Sequence, residues 1–140
     1  MRAGAQRLRC LIVDDSEHFL VAASRLLERQ GVAIVGAAST SAEALRSAEE
    51  LHPDVTLVDV HLGEDSGFDL AKQLCQNSLR RCPVVILISA RPEREYSALI
   101  AASPAAGFVR KGDLSGRVIR ELADRWLGDH STAVNDEPGR

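Results

Sequence analysis

The sequence predicts a single α/β domain in which a parallel β-sheet carries helices on both faces. Three observations carry that expectation. Short apolar runs alternate five times with segments of helical period. Three of the runs are nearly continuous in Val, Ile and Leu, as strands covered on both faces must be. The chain of 140 residues is one domain's length and long enough for a sizeable core.

Each element has its own warrant. Residues 8–13 form the first apolar run, and residues 17–29 place Phe19, Ala23, Leu26 and Leu27 on one helical face before Gly31 supplies a stop. A second run covers 32–37. Thr40 and Glu43 then make a capping box ahead of "ALRSAEEL", which Pro53 closes. The third run, 55–60, precedes a helix over 67–77 carrying Phe68, Leu70, Ala71 and Leu74. The fourth, 84–88, precedes an Ala- and Leu-rich helix over 93–102. A weaker run at 107–109 leads into a helix over 114–127, where Leu114, Val118, Leu122 and Trp126 recur at intervals of four. Trp126 on that stripe is read as packed against the sheet. The remainder, "DHSTAVNDEPGR", is polar and without period, so the domain is set at 8–127 and a disordered tail at 128–140.

Composition narrows the function. The apolar and charged fractions, 45% and 26%, are those of a soluble globular protein. Net charge is −3, from 17 basic and 20 acidic residues, which argues against a dominant nucleic-acid footprint. No run approaches the roughly 20 apolar residues that span a bilayer, and the first run is too short for a signal peptide. Three cysteines, Cys10, Cys75 and Cys82, lack metal-type spacing and are read as reduced thiols of a cytoplasmic protein.

The stretch "LIVDDSEHF" poses the chemical problem, because it sets Asp14 and Asp15 side by side at the end of a buried strand. Neighbouring carboxylates repel, and desolvation adds to that cost. Ligands of open α/β sheets bind beyond the carboxyl ends of the strands. The first strand delivers Asp14 and Asp15 there, the third Asp59, the fourth Ser89 and the fifth Lys111. Clustered carboxylates become tolerable around a hard divalent cation, and Mg²⁺ takes a few carboxylates plus waters. The cation and the Lys111 ammonium together would clamp a phosphoryl group in transfer, with Asp59 as the nucleophile.

At these residues the chain resembles the receiver domains of two-component response regulators. The matching elements are the acids of "VDDS", "LVDVHL" with Gly67 eight places after Asp59, "ISA", and "FVRK", in that order. The resemblance implies a flavodoxin-like doubly wound sheet of order 2-1-3-4-5 with five helices. It implies phosphorylation of Asp59 by a sensor histidine kinase or phosphotransfer protein, with Mg²⁺ held by Asp15, Asp59 and the backbone carbonyl of His61. Asp14 would help through water, and Ser89 and Lys111 would hold phosphoryl oxygens. Ser89 and Phe108 fall at the switch positions, and His61 and Arg91 at positions that tune the lifetime of the phosphorylated state. The output would be a protein target or a homodimer engaged through the face of helix 4, strand 5 and helix 5, with no membrane or direct nucleic-acid contact.

Three departures from the family pattern stand out. Gly63 replaces a usual Pro, Gly112 follows Lys111 where Pro is common, and Ser89 stands for Thr. The leading expectation is a stand-alone receiver that catalyses only its own phosphorylation and dephosphorylation. A phosphorylation-independent pseudo-receiver and the receiver part of a DNA-binding regulator are the alternatives. A haloacid-dehalogenase-like phosphatase would need an acid two places after the nucleophile, where His61 stands, and no GxGxxG or P-loop pattern occurs.

Overall fold

In the computed structural model, which describes residues 7–78 and 82–136, each apolar run becomes a strand. These are β1 (Arg9–Val13), β2 (Ala33–Ala38), β3 (Val55–Asp59), β4 (Val84–Ser89) and β5 (Gly107–Arg110). All pair in parallel in the order β2-β1-β3-β4-β5, the doubly wound order expected. The continuous Val/Ile/Leu runs are the three central strands. β3 and β4 are buried along their whole length and β1 along all but its first residue, whereas the edge strands β2 and β5 are only partly covered. Burial on two faces is what removes the need for polar alternation.

Side chains still alternate between the faces, and this builds two cores. Ile12, Leu57, Ile86 and Ile88 point to one side, where Leu27 and Ile119 cover them. Leu11, Val13, Val58 and Leu87 point to the other, beneath Phe68 and Leu70. The covering helices are α1 (Glu17–Arg29) and α5 (Gly116–Asp136) on the first face, and α2 (Ser41–Leu51), α3 (Gly67–Gln76) and α4 (Ser97–Ala101) on the second. Trp126 packs against the first core, partly buried, as its place on the stripe implies.

The helix starts follow from local hydrogen bonding. Ser16 Oγ accepts the Phe19 N–H at 3.2 Å and Thr40 Oγ1 accepts the Glu43 N–H at 3.1 Å. The reciprocal arm of the capping box lands one residue early, with Glu43 Oε1 accepting the Ser39 N–H at 2.9 Å, and those bonds hold the Glu43 carboxyl below its usual range. Ser66 Oγ caps α3 through the Phe68 and Asp69 amides.

Four features depart from the sequence reading. The helix expected over 93–102 divides into a 3-10 turn, Glu93–Tyr96, and the five-residue α4. Ser97 Oγ donates back to the Arg94 carbonyl at 3.3 Å within it, and Pro104 follows closely. A two-residue antiparallel ladder, His61–Leu62 with Asp65–Ser66, folds the segment after β3. The segment read as a tail from 128 is helical as far as Asp136, because a helix propagates cheaply once formed and no Pro interrupts it before 138; residues 137–140 lie outside the described residues. Finally, Cys75 and Cys82, read as reduced thiols, are joined in a disulfide, because the fold sets the end of α3 and the approach to β4 side by side, their Cα atoms 4.3 Å apart. Cys10 is a free thiol, buried in the first core, and burial pushes its pKa up to about 12.

Of the described glycines, Gly67 has the closest approach to neighbouring backbone. A Cβ at that position would run into the Asp59 carbonyl oxygen and stand 2.8 Å from Val60 Cα, while the Gly67 N–H donates to the Val60 carbonyl at 2.9 Å. Gly67→Ala is therefore expected to cost about 2 kcal/mol or more by overpacking, read as a lower urea midpoint at unchanged slope. A wild-type midpoint would show that α3 does not press on the Asp59 backbone.

Candidate functional site

The carboxyl ends of β1 and β3 meet the turn after β5 at one edge of the sheet. Asp14 follows β1 directly and its backbone N–H donates to the Ala38 carbonyl at 3.0 Å, which extends the parallel pairing and fixes its depth. Asp59 is the last residue of β3, and Lys111 opens a 3-10 turn, Lys111–Asp113, after β5. Asp14 is wholly buried and Asp59 is 6% exposed, while Asp15 lies on the surface. One carboxylate oxygen from each of the three lies within 4.8 Å of the others.

Lys111 is the cation within this group. Its Nζ stands 2.7 Å from Asp14 Oδ2 and 3.4 Å from Asp59 Oδ2. Asp14 Oδ2 is buried, and the Lys111 ammonium at 2.7 Å is the contact that balances its charge. Its other oxygen accepts the Ser16 N–H at 2.8 Å, tying the site to the start of α1. The Asp59 pKa is raised to about 6, first by burial and then by the Asp14 charge, against the opposing pull of Lys111. Burial works against the charged form of Lys111, and the paired carboxylates outweigh it, so its pKa is raised.

Asp15 is held differently. Its Oδ2 accepts the Gly63 N–H at 3.0 Å, and Gly63 takes a left-handed backbone conformation with φ of +61°. Proline at this place, which the family pattern favours, has no N–H to donate and cannot adopt that φ. The departure at Gly63 thus supplies a contact to the acid.

The remaining residues singled out from sequence divide into two groups. Ser89, 2% exposed, ends β4 and its Oγ accepts the Arg91 N–H at 3.0 Å. Arg91 turns its guanidinium to Glu95, at 3.1 Å. The His61 N–H reaches Asp59 Oδ1 at 3.4 Å, and the ring Nε2 lies 3.0 Å from the Tyr96 hydroxyl. Phe108 packs on the second core, 6.1 Å between ring centroids from Tyr96. Tyr96 and Phe19 are the contributors that sequence reading missed. Tyr96 touches His61, Phe68 and Phe108, and the Phe19 ring lies under the Lys111 ammonium, 4.4 Å from centroid to Nζ. Both are aromatic residues at helical spacing, which sequence alone assigns to the core.

Chemically, the site offers three hard oxygen donors, those of Asp14 and Asp59 buried, beside the Lys111 ammonium. That donor set fits a divalent cation of the Mg²⁺ type. Among the described residues no helix is long and apolar enough to cross a membrane.

Comparison with known proteins agrees with this geometry. The sequence model of the response regulator receiver domain matches residues 10–122. A putative transcriptional regulator from Pseudomonas aeruginosa is 31% identical over 103 residues, covering 74% of this chain and 49% of that protein. A protein-glutamate methylesterase/protein-glutamine glutaminase from Archaeoglobus fulgidus is 33% identical over 133 residues, covering 91% and 38%. The chain therefore spans half or less of the length of these curated relatives. Among solved structures, the signal receiver domain of the putative response regulator NarL from Mycobacterium tuberculosis superposes with a TM-score of 0.74 at 27% identity, covering 85% of this chain and 98% of that one.

The raised Asp59 pKa makes stability depend on pH in metal-free buffer. Folding raises the proton affinity of Asp59, so its contribution to stability is fully present below the unfolded value near 4 and is lost as pH rises through about 6. Asp59→Asn, which carries no charge at any pH, is expected to exceed wild type in stability by about 1–2 kcal/mol at pH 7.5, allowing for solvent at this edge. The gap should close towards pH 4 in urea melts with chelator. A gap independent of pH would contradict the electrostatic origin.

Proposed function

The chain belongs to the response regulator receiver domain family, and from that premise we propose that it is a Mg²⁺-dependent phosphoacceptor whose nucleophile is Asp59. The observation that carries this reading is the buried Asp14–Lys111–Asp59 contact, with Asp15 completing a ring of oxygen donors. Asp14, Asp15 and Asp59 would hold Mg²⁺, with the His61 carbonyl as a further oxygen ligand. The bound ion would supply charge neutralisation of the phosphoryl oxygens.

The chain's own residues do the rest. An Asp59 carboxylate oxygen attacks the phosphorus of a phosphohistidine on a sensor kinase or phosphotransfer protein. The P–N bond breaks with its electron pair going to the imidazole, which takes up a proton, and an acyl phosphate forms. Lys111, now freed from part of its pairing with Asp59, meets the new charge on the phosphoryl group. The Ser89 hydroxyl donates to a phosphoryl oxygen. Because Ser89 Oγ also accepts the Arg91 N–H, its movement carries the turn that leads to Tyr96, whose ring packs on Phe108. The surface so altered would be the α4–β5–α5 face, and a protein partner or second copy would read it there; Leu99 of α4 and Leu127 of α5 are exposed, at 53% and 40%. The similarity to a putative transcriptional regulator of about twice the matched length supports a second reading of the output, in which the same switch acts on a DNA-binding domain.

Incubation with acetyl phosphate should add one phosphoryl group by intact-mass spectrometry. The gain should require Mg²⁺, vanish in Asp59→Asn and be strongly reduced in Asp15→Asn. Absence of any gain in a folded wild type, beside a responsive control receiver, would favour a phosphorylation-independent interaction module. A second expectation concerns lifetime. His61→Ala combined with Arg91→Ala should speed loss of the phosphoryl group several-fold by opening the approach to water, and an unchanged rate would remove both from that role.

A further inference from the structure

Lys111 opens the 3-10 turn after β5, where the Leu114 N–H donates to its carbonyl at 3.3 Å. Gly112 follows it, and a Cβ on Gly112 would meet nothing within 4 Å. The ammonium is oriented by three partners: Asp14, Asp59 and the face of the Phe19 ring. Two of these are carboxylates of the oxygen cluster that fits a divalent cation. Once such a cation neutralises them, their hold on Lys111 weakens. The aromatic face is the partner for which a hydrated, oxygen-seeking ion does not compete.

The ring is itself well placed. Phe19 sits in the first turn of α1, where its N–H is capped by Ser16 Oγ, and its side chain packs, half-buried, against the first core. Ser16 in turn is anchored through its N–H to Asp14 Oδ1. One carboxylate therefore serves two ends of the same contact. Its Oδ2 pairs with Lys111, and its Oδ1, through Ser16, sets the start of the helix that carries the ring beneath the ammonium.

We propose that Phe19 is a positioning residue for Lys111, its ring face holding the ammonium at the phosphoryl-binding edge while the carboxylates are engaged by metal. The proposal rests on Asp59 as phosphoacceptor and adds to it the element that aims the ammonium in a chain with glycine after the lysine. Phe19 touches no reacting atom; it acts through Lys111 alone.

The test compares Phe19→Leu, which keeps apolar bulk and removes the π-face, with Phe19→Tyr, which keeps the face. At saturating Mg²⁺, Phe19→Leu should slow phosphorylation from acetyl phosphate about fivefold, with the urea midpoint and Mg²⁺ affinity near wild type, and Phe19→Tyr should restore the rate. In a Lys111→Ala background the Phe19→Leu change should add nothing, because the group it positions is gone. A wild-type rate for Phe19→Leu, or a full additional loss on top of Lys111→Ala, would overturn the proposal. A second readout does not depend on phosphorylation. In the Mg²⁺-loaded protein, the Lys111 ε-methylene proton resonances should be shifted upfield by the Phe19 ring and return towards ordinary values in Phe19→Leu. Unshifted resonances in wild type would overturn the proposal even if phosphorylation is observed. Shifted resonances in a protein that takes no phosphoryl group would retain the contact and refute the Asp59 assignment instead.

Discussion

The ammonium of Lys111, set 2.7 Å from Asp14 and 3.4 Å from Asp59, is the contact on which the working edge of this sheet depends. Two buried carboxylates would otherwise face each other without a counter-charge. One lysine does not offset three acids. Asp59 is left with a pKa raised to about 6 by burial and by the Asp14 charge. In the proposed function that residual negative charge is what a bound cation would neutralise. A divalent cation there would, with Lys111, oppose the charge of a phosphoryl group in the proposed transfer.

The same edge is connected to the surface by short hydrogen-bonded steps. Ser89 Oγ accepts the N–H of Arg91, and the chain continues through Pro92 into the turn that carries Tyr96. Tyr96 reaches back with its hydroxyl to His61, two residues beyond Asp59, and lays its ring near Phe68 and Phe108. The segments on either side of the proposed phosphoacceptor are thus joined through one phenol. A short α4 with no side-chain cap is the element least anchored by its own sequence, and it lies where the switch would act.

Much of this was legible in the sequence, for identifiable reasons. A buried parallel strand announces itself by an unbroken apolar run, and a carboxylate at its end is conspicuous because nothing in a core tolerates it. Asp14, Asp59 and the strand order follow from those two facts together with the family resemblance. Gly67 stands out in the sequence only as part of a spacing; its physical reason, the Asp59 carbonyl oxygen lying where a Cβ would be, comes from tertiary packing. The residues that escaped notice owe their roles to tertiary placement. Phe19 and Tyr96 lie on amphipathic segments, where an aromatic ring is ordinarily core, and only the positions of Lys111 and His61 give them a further part. The division of the fourth helix, the extension of α5 and the Cys75–Cys82 bridge likewise reflect chain reversals and helix propagation that no hydrophobic period encodes.

The most direct test is urea unfolding of wild type, Asp15→Asn and Asp59→Asn with and without Mg²⁺ at neutral pH. An ion bound only by the folded oxygen cluster stabilises the protein by mass action, so Mg²⁺ should raise the wild-type midpoint, with an increment of about 2–3 kcal/mol at a hundredfold excess over the dissociation constant. The increment should shrink or vanish in both variants. No increment in wild type, or an equal one in all three proteins, would contradict a metal site built from Asp14, Asp15 and Asp59.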